Sequence, residues 1–315
     1  MGEGHLPVLA SEAIALLQPR TGGSIADCTV GGGGHAERLL EATSPGGRLL
    51  GIDADRAAIS EASRTLARFG ERAVLRHANF SEIFDVATRE GFVPLDGALF
   101  DLGLSSYQLS DPARGFSFTS SATPDMRFDA EQGESALDLV ARSTERDLAE
   151  VIATYGEERH ARRIAKAIVA ARDAGRLVTA ADLAAAVARA VPSAGGRSRI
   201  HPATRTFQAL RIAVNRELDV LTAGLAGALA ALRPGGRVVV ISYHSLEDRI
   251  VKRFIARESR DCIEEPLPPA CTCGHRAQLR SVTKGVVTPT QAEIEANPRA
   301  RSAKLRAAEK LPVAA

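Results

Sequence analysis

The chain has no tryptophan, three tyrosines, two methionines and four cysteines in 315 residues. Cys28, Cys262, Cys271 and Cys273 are too few to staple a chain of this length, which excludes a disulfide scaffold and suits a reducing compartment. With so little tryptophan and tyrosine, any nucleobase held by stacking has to lie on phenylalanine or arginine. No apolar run approaches the roughly 18 residues that span a bilayer. Met1-Gly2-Glu3-Gly4-His5 lacks the basic start of a signal peptide, and Leu6 stands where a myristoylation signal needs Ser or Thr, so a cytoplasmic protein with no membrane partner is expected. A charge excess is lacking too: 40 Lys and Arg against 38 Asp and Glu leave a net charge of +2. Bulk charge therefore cannot hold a polyanion, and any such partner must be gripped by a local patch.

What is present is an ordinary globular balance, 45% hydrophobic and 25% charged, in a length that suits two domains or one domain with an insertion. The first hundred residues alternate short apolar runs with amphipathic stretches, the pattern of a parallel α/β sheet. Strands are predicted at Ser24–Asp27, Arg48–Asp53, Ala73–His77 and Gly97–Asp101, with a helix over Arg56–Phe69. After Leu104 only helical periodicity follows. Thr144 with Asp147 and Thr179 with Asp182 read as capping boxes, and Gly156, Gly175 and Pro192 as helix stops. One long helix is predicted from Thr204 to Leu232, then a turn at Arg233-Pro234-Gly235-Gly236, a central strand over Arg237–Ser242 and a further strand near Ser281–Thr288. Ser245 with Asp248 forms another expected capping box. The expected organisation is a discontinuous sheet domain at 1–108 and 204–290, a helical insertion at 109–203, and a basic tail at 291–315.

Asp27-Cys28-Thr29-Val30-Gly31-Gly32-Gly33-Gly34-His35 follows the first strand and opens a helix. Consecutive glycines allow positive φ and close approach to a ligand, and leave N–H groups at the helix start. Gly31, Gly33 and Ala36 also satisfy G-x-G-x-x-A, so an NAD(P)-dependent oxidoreductase is a rival reading. The acid Asp27 weighs against it, because a carboxylate beside the loop suits a cationic group better than a pyrophosphate. Asp53 at the second strand end can accept ribose hydroxyls under either reading. Phe80, after Asn79, offers a face for adenine, and Asp101 closes the fourth strand. Four strand ends carrying a glycine loop, an acid, an aromatic and an acid converge on one crevice of an open α/β sheet.

These residues resemble the cytosine-N4 methyltransferases of bacterial small-subunit (16S) ribosomal RNA. The resemblance runs nearly end to end, through His5-Leu6-Pro7-Val8-Leu9, Gly33-Gly34-His35, Gly51-Ile52-Asp53, Asn79-Phe80-Ser81 and Asp101–Ser106. It continues through Arg114–Phe118, Asp125-Met126-Arg127, Tyr155–Glu158, His201–Arg211, His244–Arg249, Asn297-Pro298-Arg299 and Arg301–Arg306. It implies a class I, Rossmann-like methyltransferase sheet carrying an inserted all-helical substrate-recognition domain. It also implies S-adenosylmethionine as donor, and as acceptor a decoding-region cytidine of 16S rRNA within the 30S subunit. By motif match Gly33, Gly34, His35, Asp53, Phe80, Asp101 and Gln108 should line the cofactor site. Tyr107 stands where the family usually has Pro before Gln108, and Thr290 where it usually has Ser after Pro289.

A cytosine amine is a poor nucleophile, because its lone pair is delocalised into the ring. It needs in-line placement and an acceptor for an N–H. Asp101 is the one catalytic candidate, expected to bind cofactor and help orient the amine. Asp101-Leu102-Gly103-Leu104 lacks the Asp/Asn-Pro-Pro-aromatic signature of DNA amino-methyltransferases and designates no base. Cys273 after Thr272 is the alternative, a 5-methylcytosine-type nucleophile, but lies in a proline-rich segment far from the crevice in sequence. Cys262, Cys271, Cys273 and His275 offer four zinc ligands. Their C-x-C-x-H spacing is tight and Cys262 is unpaired, so no metal is expected. Ser105-Ser106 reads as backbone capping. Arg197, Arg199, His201, Arg205 and Arg211, the helix-borne Arg159, Arg162, Arg163 and Lys166, and Arg299, Arg301, Lys304, Arg306 and Lys310 are candidate phosphate contacts or solvated faces. A non-catalytic RNA-binding module is the other rival, and would need no acid or aromatic at each strand end.

Overall fold

The computed structural model describes residues 7–105, 108–109, 111–191, 201–264 and 272–312. In chain order the elements are α1 (Ala10–Leu17), β1 (Ser24–Asp27), α2 (Gly34–Ala42), β2 (Arg48–Asp53), α3 (Arg56–Leu66), β3 (Ala73–His77), α4 (Ile83–Arg89) and β4 (Leu95–Asp101). Five helices follow: α5 (Ala136–Arg142), α6 (Glu145–Gly156), α7 (Ala161–Asp173), α8 (Ala180–Ala190) and α9 (Thr204–Asn215). The chain closes with α10 (Glu217–Ala231), β5 (Leu232–Ser242), α11 (Ser245–Glu258), β6 (Leu279–Ser281), α12 (Gln291–Ala296) and β7 (Lys304–Lys310). Two compact units result, Met1–Gly103 with Leu218–Ala315, and Leu104–Glu217. Among the described residues no helix is long and apolar enough to cross a membrane.

The first unit is built on a seven-stranded sheet in the order β3-β2-β1-β4-β5-β7-β6. Strands β1 to β5 run parallel, and β7 is antiparallel to β5 and β6. This is the expected Rossmann-like class I sheet. It departs from the 3-2-1-4-5-6 dinucleotide order by inserting the reversed β7 beside β5. Both faces are covered. Ile25, Leu49, Leu99, Val239 and Ile241 pack with α1 and α2, while Ala26, Leu50, Ala98, Phe100, Val238 and Val240 face the layer containing Val86, Leu225 and Val251. Burial on two faces is why β2 and the Val238–Ile241 part of β5 read as unbroken apolar runs.

The second unit packs around its own apolar cluster, with Leu148, Ile152, Ile164, Ile168, Leu183, Val187 and Leu210 fully buried. Thr144 with Asp147 and Thr179 with Asp182 form the predicted capping boxes of α6 and α8. The unit begins at Leu104 and ends at Glu217, taking in α9, where the sequence places the insertion at 109–203. The reason is local: Gly156 ends α6 where the backbone of α9 passes so close that a Cβ would lie 2.7 Å from the Arg205 carbonyl oxygen.

Several expectations about individual elements are corrected. The single helix predicted over Thr204–Leu232 is two, because Arg216 takes a left-handed backbone (φ 49°) between α9 and α10. Asn215 there holds the main chain at Met126 and Phe128 through its side chain (2.7 and 2.6 Å), and Arg211 clasps Glu217 with two hydrogen bonds (2.7 and 2.8 Å). The predicted turn Arg233–Gly236 lies within β5, whose register against β4 shifts between Leu95 and Gly97. Strand pairing near 281–288 reduces to β6 and one bridge, Val287 to Leu305. The stretch 291–315 is not a tail: α12 and β7 arise from it, and Leu305, Ala307 and Ala308 of β7 are fully buried. Thr290 caps α12 by accepting from Glu293 N–H (3.2 Å), as a serine there would. Helix α11 is capped by His244 with Glu247, not by Ser245 with Asp248.

Replacing Gly156 by Ala forces α6 and α9 apart against backbone that cannot yield. We expect a loss of about 1–3 kcal/mol, read as a lower midpoint in chemical denaturation.

Candidate cofactor and methyl-transfer site

The chain order places the site at the switch point of the sheet. From β1 the strands proceed outward through β2 to β3, then return to β4 on the other side of β1, leaving a crevice at the C-terminal ends of β1 and β4. Asp27 and Asp101 end those two strands. The Thr29 hydroxyl accepts from Asp101 N–H at 2.7 Å, and Cys28 N–H donates to the Leu99 carbonyl at 2.8 Å, so the two strand ends are locked together.

Two N–H groups of the glycine loop are satisfied within the protein where the sequence suggests open donors. Gly31 N–H donates to Asp53 Oδ2 (2.9 Å) and Gly33 N–H to the Val30 carbonyl (2.8 Å). Gly31 and Gly33 have φ of 50° and 89°, and a Cβ on Gly33 would press on Thr65 at 3.3 Å. Gly33 and Gly34 thus deliver the chain into α2, whose first turn carries His35. With two loop N–H groups taken, the loop is poorly furnished for a pyrophosphate, against the dinucleotide reading. Asp53 also accepts from Asp55 N–H (2.9 Å), which fixes its carboxylate at the end of β2. Burial pushes its pKa up to about 6 despite those two N–H donors.

Asp27 is 1% exposed, with Oδ1 accepting from Thr29 N–H at 3.2 Å and Oδ2 buried without a hydrogen-bond partner. Burial raises its pKa to about 7; the nearby His35 charge and the Thr29 N–H oppose the rise, and the charges of Asp101 and Asp53 add to it. His35 is buried beside both carboxylates, its Nε2 3.4 Å from Asp101 Oδ2, beyond good hydrogen-bonding range. Burial alone would lower its pKa, but Asp101 and Asp27 outweigh that and hold it above the ordinary histidine value. Cys28 is buried next to Asp27, and burial first, then that charge, push its thiol well up.

Asp101 has a partner that sequence reading missed. The Tyr243 hydroxyl donates to Asp101 Oδ1 at 2.7 Å. Burial first, then the Asp101 charge, raise the Tyr243 pKa well above 10, so the phenol stays a donor. Gly103 (φ 99°) presents no side chain where the Tyr243 ring lies 3.4 Å away. The signal was positional: Ile241 is in register with Asp101, so two residues further on the chain leaves β5 beside the β4 end. Tyr243 N–H in turn donates to Glu247 Oε2 (2.8 Å).

Phe80 begins a short helical turn after β3, which Ala78 N–H joins to the β2 end through the Asp53 carbonyl (3.0 Å). Its ring meets Phe100 edge to face at 5.5 Å and leaves no room for a Cβ at Gly224 (2.6 Å). The structure therefore gathers Gly33, Gly34, His35, Asp53 and Asp101 at adjoining strand ends, with Phe80 tied to them through β2. Gln108 belongs to the helical unit, where it is buried: its Oε1 accepts from Ser105 N–H (3.0 Å) and its N–H donates to Ser105 Oγ (3.2 Å), the capping role expected of Ser105. Tyr107, Ser106, Pro192, Arg197 and Arg199 lie outside the described residues.

The basic clusters divide into two kinds. Arg211 is consumed by Glu217, Arg306 by Asp248 (2.8 and 3.2 Å), and Lys310 by the Leu229 and Leu232 carbonyls (2.8 and 2.6 Å), which corrects their reading as phosphate contacts. Lys304 lies 3.7 Å from Asp248 and His201 stacks on Phe118. By contrast Arg162, Arg163 and Lys166 are exposed along α7, opposite its buried Ala161, Ile164, Ala165 and Ile168; Arg159, expected on that helix, is exposed just before its His160 cap, and Arg299 and Arg301 are exposed before β7.

Because Asp27 titrates about three units above an ordinary carboxyl, the folded protein takes up a proton between about pH 4 and 7; the stability this contributes is present below pH 4 and lost as pH rises through 7. Asp27→Asn removes that loss. Thermal melting of both proteins should show the variant gaining several degrees relative to wild type between about pH 4 and pH 7.5, and parallel curves would contradict the buried-carboxyl assignment.

The sequence pattern of the MraW methylase family matches residues 2–311. A protein of Thermomicrobium roseum named ribosomal RNA small subunit methyltransferase H is 53% identical over 307 residues, covering 98% of this chain and 94% of that one. A protein of the same name from Syntrophotalea carbinolica is 50% identical and covers 98% of each chain. Among solved structures, a putative rRNA methylase from Clostridium thermocellum covers 98% of this chain and 99% of its own at 12% identity and a TM-score of 0.46, too slight a likeness to bear on the chemistry. Matched over nearly its whole length by one family pattern, the chain belongs to the MraW methylase family.

Proposed function

We propose that this protein transfers a methyl group from S-adenosylmethionine to N4 of a cytidine in the decoding region of 16S rRNA, acting on the 30S subunit in the cytoplasm. The family and the naming of relatives at 50% identity or more support an rRNA methyltransferase. The observation that carries the site is the buried, unpartnered Asp27 Oδ2 beside a glycine loop and two further strand-end carboxylates. A buried acceptor without a donor is costly, and a cationic ammonium such as that of the donor's methionine portion would satisfy it. S-adenosylmethionine supplies, when bound, a sulfonium methyl open to in-line attack.

Gly33, Gly34 and His35 shape the entry to α2, Asp53 retains lone pairs for the ribose hydroxyls, and Phe80 contributes apolar surface for the adenine. Gln108 completes the set on family resemblance alone. Asp101 orients the acceptor amine by taking one of its N–H bonds, while Tyr243 holds the other oxygen and so keeps the carboxylate from turning. The exposed basic face of α7 and the Arg299–Arg301 pair grip phosphates, so that a chain of net charge +2 binds RNA by patches.

Incubation with methyl-labelled S-adenosylmethionine and unmodified small subunits, beside free 16S RNA and DNA, followed by nuclease digestion and mass spectrometry, tests this directly. N4-methylcytidine at one position, formed best on subunits, is expected; another methylated base, or transfer to DNA alone, would overturn it. Arg299→Glu with Arg301→Glu should weaken RNA binding and flatten the slope of log K against log salt by about one to two. Binding and slope equal to wild type would remove that pair from the interface.

A further inference from the structure

The connection between α11 and β6 carries a second cluster of chemistry-bearing side chains that the methyl-transfer site does not use. The Sγ atoms of Cys262 and Cys273 and a carboxylate oxygen of Glu264 lie within 4.8 Å of one another. We propose that Cys262, Glu264 and Cys273 bind a zinc(II) ion that ties the two ends of this connection together.

The geometry suits the ion. With Zn–S near 2.3 Å and Zn–O near 2.0–2.2 Å, tetrahedral ligand atoms sit about 3.5–3.8 Å apart, and Cys262 Sγ is 3.8 Å from Glu264 Oε2. The ligands are also braced from behind. The Thr272 hydroxyl donates to Glu264 Oε1 at 2.6 Å and Thr272 N–H to Oε2 at 3.2 Å, which fixes the carboxylate. His275 N–H donates to Cys273 Sγ at 3.5 Å, a contact that favours a thiolate. In the structure the Cys262 thiol donates to Glu264 Oε2, a proton that an incoming ion would displace, and sulfur ligands select a soft ion over calcium or magnesium.

This set differs from the four zinc ligands considered in the sequence. Cys271 lies outside the described residues. The His275 ring turns away, its Nε2 3.6 Å from Glu258 Oε2, and Glu264 takes a place that a Cys/His spacing pattern does not single out. The stem of the connection is already pinned: Gln278 N–H donates to the Glu258 carbonyl (2.7 Å), Gln278 Nε2 to Glu258 Oε2 (3.1 Å), and Ala277 N–H to Asp261 Oδ1 (3.1 Å). An ion at Cys262, Glu264 and Cys273 closes the loop beyond that stem, next to the edge strand β6, and its binding adds to folding stability.

The test uses the full-length chain without a metal-binding tag, loaded with zinc, gel-filtered and analysed for metal. About one zinc per chain is expected. Cys262→Ser and Cys273→Ser should each abolish retention, and Glu264→Gln should weaken zinc affinity about tenfold or more. Alkylation of the wild-type chain, followed by peptide mapping, needs no variant to fold: Cys262 and Cys273 should react slowly until a chelator is added and at least tenfold faster afterwards. A chain that retains no zinc and whose two thiols react equally with and without chelator, or one that shows a Cys262–Cys273 disulfide under non-reducing mapping, overturns the proposal.

Discussion

A buried histidine between two carboxylates is the arrangement on which the site depends. His35 stands beside Asp27 and Asp101 only because β1 and β4 are neighbours in the sheet, locked at their ends by Thr29 and Cys28. The surroundings are dry enough to push Asp27 up to about 7 and Asp53 to about 6. Buried carboxyls of this kind cost stability in the folded protein, the compromise expected where binding rather than folding sets the residue.

The second constraint is that Asp101 does not act alone. Its two oxygens face different neighbours, Tyr243 on one side and the buried His35 ring on the other, and the Tyr243 hydrogen bond fixes one of them. Tyr243 reaches it from β5, and Glu247 at the start of α11 holds the Tyr243 main chain. The reversed strand β7, paired to β5 along its length, supports that segment in turn. What looked like a basic tail is therefore part of the sheet that positions the site, and its charges Arg306 and Lys310 are spent on internal partners.

Much of the sheet was legible in the sequence. Strands β1 to β3 appear at their observed bounds, because apolar runs flanked by Gly and Asp are a local signal. Capping boxes at Thr144 and Thr179 are equally local. The break at Arg216 was not legible. A left-handed arginine between two good helices is set by Asn215 holding Met126 and Phe128, residues far away in the chain. The burial of β7 was hidden for a related reason: Lys304-Leu305-Arg306 alternates as an exposed strand would, and its charges are met by Asp248, Arg237 and Arg280 from other elements.

The sequence by itself determined which residue types end each parallel strand, and hence that a glycine loop, acids and an aromatic would share one crevice, since strand order and direction follow from local patterning and short connections. Only the tertiary structure decided how those groups are used. It placed Tyr243 on Asp101, filled the N–H groups of Gly31 and Gly33, left Asp27 Oδ2 buried and unpartnered, and brought Cys273 to Cys262 and Glu264. Tyr243 on Asp101, Asp53 on Gly31 and Cys273 on Cys262 and Glu264 join residues distant in the chain, fixed by packing and by the satisfaction of buried polar groups, and local periodicity carries no information about either.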